Sequence, residues 1–101
     1  MANKKKESKY QKDLMDKIRE EYPGCLIMKN DSGYIQGIPD WTILYKDKWA
    51  VLEAKADEDS DIRPNQPYYV DMLDKMSYSR FVYPENEDEV LDGLRKIFNK
   101  D

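Results

Sequence analysis

Asp40, Glu53 and Lys55 are the residues of this chain whose types and spacing suit them to act together. Glu53 and Lys55 are alternate residues of an apolar segment, Trp49 to Lys55, so in a strand both point to one face while Ala54 points to the other. Asp40 opens a second strand-like segment, Trp41 to Tyr45, and the polar Lys46-Asp47-Lys48 between the two segments predicts an antiparallel hairpin. With the turn there, positions whose numbers sum to about 94 lie opposite one another, which puts Asp40 near Ala54 and beside Glu53 and Lys55. An Asp, a Glu and a Lys converge at one end of a sheet.

Two carboxylates so close repel, and one keeps its proton unless a cation lies between them. A divalent ion resolves the conflict, and hard oxygen ligands favour Mg²⁺ or Mn²⁺. Such an ion activates water and neutralises charge on a phosphoryl oxygen, the chemistry of phosphodiester hydrolysis. Lys55 adds a fixed positive charge near the scissile phosphate; its acidic neighbours favour the protonated form, which argues against a general base. Other chemistries are excluded by composition. No histidine and a single cysteine, Cys25, leave no Ser-His or Cys-His relay, no Cys-based zinc site and no internal disulfide.

The elements that must position these residues follow from periodicity. Tyr10, Leu14, Ile18 and Tyr22 predict a helix over 8–22, ended by Pro23-Gly24, with Ser8 and Gln11 as a capping box unless the helix starts nearer Asn3. Cys25 to Lys29 predicts a strand that starts the sheet, and residues 30–37 a loop containing two glycines. After the hairpin, Pro64 and Pro67 suit a first helical turn, followed by a stripe of Val70, Leu73 and Met76. Ser79 to Tyr83 predicts a last strand. Asn86 with Glu89 is expected to cap a final helix with Val90, Leu91, Leu94, Ile97 and Phe98 on one face. Helix, three strands, helix, strand, helix is an α/β sandwich of one mixed sheet flanked by helices.

At 101 residues the chain is expected to be a single domain, residues 1–101, with 1–7 as a flexible basic segment. The net charge of −4 hides an asymmetry: Lys4, Lys5, Lys6, Lys9 and Lys12 against Glu7 leave the first twelve residues at +4 and the rest at −8. No apolar run approaches a membrane span and the basic start has no signal-peptide core, so an intracellular protein without membrane contact is expected. The acidic run Asp57 to Asp61 is not an EF-hand loop, because Ile62 and Tyr68 stand where glycine and glutamate are required.

Pro39-Asp40 followed by Glu53-Ala54-Lys55 resembles the signature of the PD-(D/E)XK nuclease superfamily. Gly37-Ile38 before it and Gln66 in the next helix make it most similar to the VRR-NUC and phage-resolvase branch. The resemblance implies an αβββαβ, restriction-endonuclease-like core and Mg²⁺- or Mn²⁺-dependent cleavage of DNA, with no organic cofactor. It implies Asp40, Glu53 and the Ala54 carbonyl as metal ligands, Lys55 as catalytic lysine, and an acidic residue on the first helix. Glu7 fits best, since it lies seven residues before Leu14 on the same helical face, although a Ser8 cap would leave it outside the helix. Glu21 shares the stripe at the opposite end. Gln66, four residues before Val70 and seven before Leu73, faces inward, where it can orient Lys55 or a phosphate oxygen.

DNA contact is expected from Lys4, Lys5, Lys6, Lys9 and Lys12, then from Lys29, Ser32, Gln36, Arg63 and Arg80. The resemblance implies a Holliday-junction resolvase of phage or prokaryotic recombination, and since cutting a four-way junction symmetrically needs two active sites, a homodimer is expected to supply both. The alternatives are a flap or nicking endonuclease, and a DNA-binding or inhibitor module without catalysis.

Overall fold

A computed structural model describes residues 4–99. The first helix, α1, is Lys4–Glu21. It starts earlier than the Ser8 cap predicts, because Lys4 to Lys6 are good helix formers and nothing in that stretch breaks the pattern. Ser8 is therefore inside the helix, and Glu7 in its first turn. From Lys4 onward the basic segment belongs to α1; residues 1–3 lie outside the described residues. The inward stripe of α1 is buried through Leu14, Met15 and Ile18, continuing into Tyr22. Gly24, at φ +89°, turns the chain out of the helix as only glycine does without strain.

The strands β1 (Leu26–Lys29), β2 (Trp41–Tyr45), β3 (Lys48–Ala54) and β4 (Ser79–Val82) form one sheet in the order β1-β2-β3-β4. The first two pairings are antiparallel and β3–β4 is parallel. A parallel pair needs a crossover, supplied by the helix α2 (Gln66–Met76). The hairpin turn is one residue tighter than predicted: Tyr45 pairs with Lys48, and Lys46 takes φ +58°. Trp41 consequently faces Leu52, so Asp40 stands opposite Glu53 rather than Ala54.

Alternation along β3 divides the core. Ala50, Leu52 and Ala54 pack with Ile43, α1 and the last helix, α3 (Glu87–Phe98), whose Val90, Leu91, Leu94 and Phe98 are buried. Val51, Glu53 and Lys55 face the other side, where α2 packs on β3 and β4. Tyr22, Tyr45 and Phe98 cluster with ring centroids 5.0–5.6 Å apart and fill the hairpin end of the sheet, so the charged residues gather at the opposite end. Tyr10 Oη donates to Glu87 Oε1 at 2.8 Å and Lys17 pairs with the same carboxylate, tying α1 to α3.

The expected cap of α3 is replaced. Asn86 makes no side-chain cap to α3; its Oδ1 accepts from Tyr83 N at 2.9 Å and its Nδ2 donates to the Phe81 carbonyl at 3.0 Å, closing a 3₁₀ turn at Pro84–Asn86. Pro67 lies in the first turn of α2, whereas Pro64 precedes the helix. Met76, the last residue of α2, leaves the predicted stripe and is 64% exposed. Among the described residues no helix is long and apolar enough to cross a membrane.

Candidate active site

Glu53 is the centre of the site. Its position in β3 follows from alternation with the core residues Leu52 and Ala54, and it is only 2% exposed. The backbone N–H of Asp40 donates to Glu53 Oε1 at 3.1 Å, a contact that follows from the tight hairpin register. Lys55 Nζ lies 3.6 Å from Glu53 Oε2 and is itself buried. Burial pushes the Glu53 carboxyl up to about 7, and the Asp40 charge adds to this; Lys55 and the Asp40 amide oppose it, and Glu7 raises it further. Asp40, Glu53 and Lys55 therefore meet at one end of the sheet, as their spacing predicted. Lys55 N donates to the Val82 carbonyl at 2.8 Å, so β4 fixes the backbone from which the lysine projects.

Glu7 reaches this end from α1. Gln11, one turn further on and buried, donates through Nε2 to both Glu7 Oε2, at 3.2 Å, and the Ala54 carbonyl, at 3.1 Å. Gln11 Oε1 accepts from Trp41 Nε1 at 3.3 Å. Because an indole N–H can only donate, this bond fixes which way the amide faces and aims Nε2 at Ala54 and Glu7. Gln11 is the site residue that sequence reasoning missed, having been assigned to a cap. Its signal was present: it lies three residues before Leu14 and four after Glu7, on the inward stripe. Glu21 is at the far end of α1, paired with Arg95.

Gln66 is buried at the start of α2, and its Oε1 accepts from Arg63 N at 2.9 Å. That bond holds the turn entering α2 and uses the amide oxygen locally. The loop before Asp40 is also braced. Asn30 N donates to the Asp40 carbonyl at 2.7 Å, Asn30 Nδ2 to the Pro39 carbonyl at 2.8 Å, and Thr42 Oγ1 to Asn30 Oδ1 at 3.0 Å. Gly37, at φ +92°, passes so close to Asn65 that a Cβ would lie 2.8 Å from its carbonyl carbon.

The expected DNA contacts are spread over several elements. Lys6, Lys9 and Lys12 are exposed on α1, with Lys9 paired to Asp13 at 3.0 Å and Lys12 to Asp16 at 2.8 Å. The side chains of Lys4 and Lys5 lie outside the described residues. Lys29 Nζ sits 4.8 Å from the centroid of the Trp41 ring, beside the site. Ser32 and Gln36 are exposed on the loop leading to Asp40, and Arg63 is exposed before α2. Arg80 is held by Asp74 and by the Tyr78 ring, 4.5 Å away, on β4.

Among the described residues no group of three or more His, Cys, Asp or Glu side chains is placed to hold a metal ion. The donors at the sheet end suit an open site instead: Asp40, Glu53, the second lone pair of the Ala54 carbonyl, and Glu7 nearby. The buried Glu53 carboxylate, costly as a free anion, fits that need, since a cation beside it would remove the cost. Comparison with known protein families, with characterised proteins and with solved structures found no match.

Proposed function

We propose that this chain is a divalent-metal-dependent DNA endonuclease with a restriction-endonuclease-like core of the PD-(D/E)XK kind. One observation carries the reading: Glu53 is buried against Lys55 and the backbone of Asp40, at the open end of a sheet, where a structural role would favour an apolar residue. The element order and the crossover from β3 through α2 to β4 are those expected of such a core.

Asp40, Glu53 and the Ala54 carbonyl would hold Mg²⁺ or Mn²⁺, with Glu7 contributing through the shell around it. When bound, such an ion supplies an acidified water and charge neutralisation at the phosphate. The protein's own residues do the rest. Gln11 holds the Ala54 carbonyl in place and keeps Glu7 turned toward the site. Lys55 presents a cation toward the phosphate, and Glu53 keeps that ammonium from swinging away. The braced loop from Asn30 to Pro39 sets the position of Asp40.

The substrate class we assign is branched DNA, a four-way junction cut symmetrically by two copies of the chain. Purified protein incubated with a labelled four-way junction, a nicked flap, linear duplex and single strands, with Mg²⁺, Mn²⁺ or EDTA, tests this. Paired, metal-dependent incisions on the junction are expected. Preferred cutting of the flap would replace the resolvase assignment, and DNA binding without cutting in either metal would overturn the enzymatic reading.

A further inference from the structure

We propose that the groove on the α2 side of the sheet, lined in part by Tyr34, receives an unstacked base of the nucleic acid cut at Asp40 and Glu53. The inference rests on the nuclease reading above and adds to it the form of DNA that the site accepts.

The pair Thr42–Val51 is two residues along each strand from Asp40 and Glu53, on the same sheet face, which is about 7 Å away. Thr42 and Val51 are part of the floor of a groove of about 560 Å³, walled by Ile38 and Leu73 and reached past Asp31 and Tyr34. α2 packs chiefly on β3 and β4, and this face of β1 is left open, with Leu26 and Met28 exposed. It falls within the size range of small-ligand sites.

Tyr34 is held by the backbone of its loop. Tyr34 is 87% exposed, yet its backbone is fixed: Tyr34 N donates to the Asp31 carbonyl at 3.1 Å, and Gly33 N to Asp31 Oδ1 at 2.8 Å. Asn30 closes the base of the loop onto Pro39 and Asp40. An aromatic ring presented to solvent on a braced loop, leading directly to a catalytic acid, is a stacking platform for a base.

Charge decides which part of a nucleotide enters. The groove carries the Asp31 carboxylate, which repels phosphate and accepts from the exocyclic amine of cytosine or adenine. The base therefore enters while the backbone stays over the acids and Lys55. A second copy of the chain seated here would cover ground contiguous with Asp40 and Glu53, so the occupant must be the molecule whose phosphate reaches them. Bases inside regular duplex are stacked and unavailable, so the ligand is single-stranded or distorted DNA, such as the centre of a branch.

The test measures affinity in EDTA for junction and single-stranded DNA, using wild type, Tyr34→Ala and Tyr34→Trp, with an abasic site moved through the positions flanking the mapped cut. Tyr34 is exposed, so circular dichroism of the variants should match wild type. Tyr34→Ala should weaken binding by about 5- to 150-fold, and Tyr34→Trp should restore it. One abasic position should weaken wild type by a similar factor and Tyr34→Ala hardly further, a coupling that a merely structural role does not produce. Active wild type with an unchanged Tyr34→Ala and no sensitive abasic position would overturn the inference while sparing the nuclease reading. So would a wild-type dimer that Tyr34→Ala converts to monomer, which would make the face an interface between copies. Wild type that neither binds nor cuts DNA would overturn the underlying reading and the inference with it.

Discussion

Replacing Glu53 by Gln should stabilise the metal-free protein, by an amount that depends on pH. Burial and the neighbouring acids place the Glu53 carboxyl at about 7 in the fold, against an ordinary 4.5. Between these values the folded protein holds a proton that the unfolded chain has released, so its stability falls as pH rises from 4.5 through 7. The loss is complete above pH 7, where it amounts to roughly 3 kcal/mol at 1.36 kcal/mol per pH unit. The glutamine amide of the Glu53→Gln variant would resemble the protonated carboxyl in shape and charge and would escape this loss. The difference between Glu53→Gln and wild type should be near zero at pH 4 and approach its full value by pH 8. For a slope of about 1.5 kcal/mol/M in urea, the variant's midpoint would then lie about 2 M higher. Carboxylates remote from Glu53 titrate alike in both proteins and cancel, so urea denaturation in EDTA at half-unit pH steps reports Glu53 together with the Asp40 and Glu7 charges coupled to it. Mn²⁺ added at pH 7.5 should raise the wild-type midpoint and leave the variant unmoved. A difference independent of pH, or wild type gaining on the variant between pH 5 and 7, would refute the electrostatic reasoning.

Gln11→Leu keeps the apolar contact but leaves the Ala54 carbonyl and the Trp41 N–H without their partner. It should cost about 1–3 kcal/mol of stability by urea denaturation and lower the single-turnover cleavage rate more than DNA affinity. Gly37→Ala should cost about 1–3 kcal/mol from its positive φ, and more from the clash with Asn65, detaching the Asp40 loop from α2. Its urea midpoint should fall further than that of Gly24→Ala, where φ is also positive but a Cβ meets open space.

Much of the fold and of the central cluster could be read from alternation and turn chemistry. Asp40, Glu53 and Lys55 were brought together by a period of two and one hairpin, and a register error of one residue changed only which of Glu53 and Ala54 stands opposite Asp40. The caps could not be read, because a Ser, Asn or Gln at the right spacing has several partners to choose from. Ser8 was absorbed into a helix that its lysines extend, and Asn86 turned back to Phe81 and Tyr83. Gln11 was misassigned for the same reason: its partners Ala54 and Trp41 are 43 and 30 residues away in sequence, and no local pattern points to them. The open sheet face was also hidden, since it depends on α2 covering two strands rather than four.

The most direct measurement is single-turnover cleavage of the preferred DNA by wild type, Asp40→Ala and Lys55→Ala, in Mg²⁺, Mn²⁺ and EDTA, beside their DNA affinities. The expected result is metal-dependent cutting by wild type alone, with affinity retained in both variants. Cutting that survives in either variant, or that proceeds in EDTA, would contradict the assignment of the chemistry to the Asp40–Glu53–Lys55 end of the sheet.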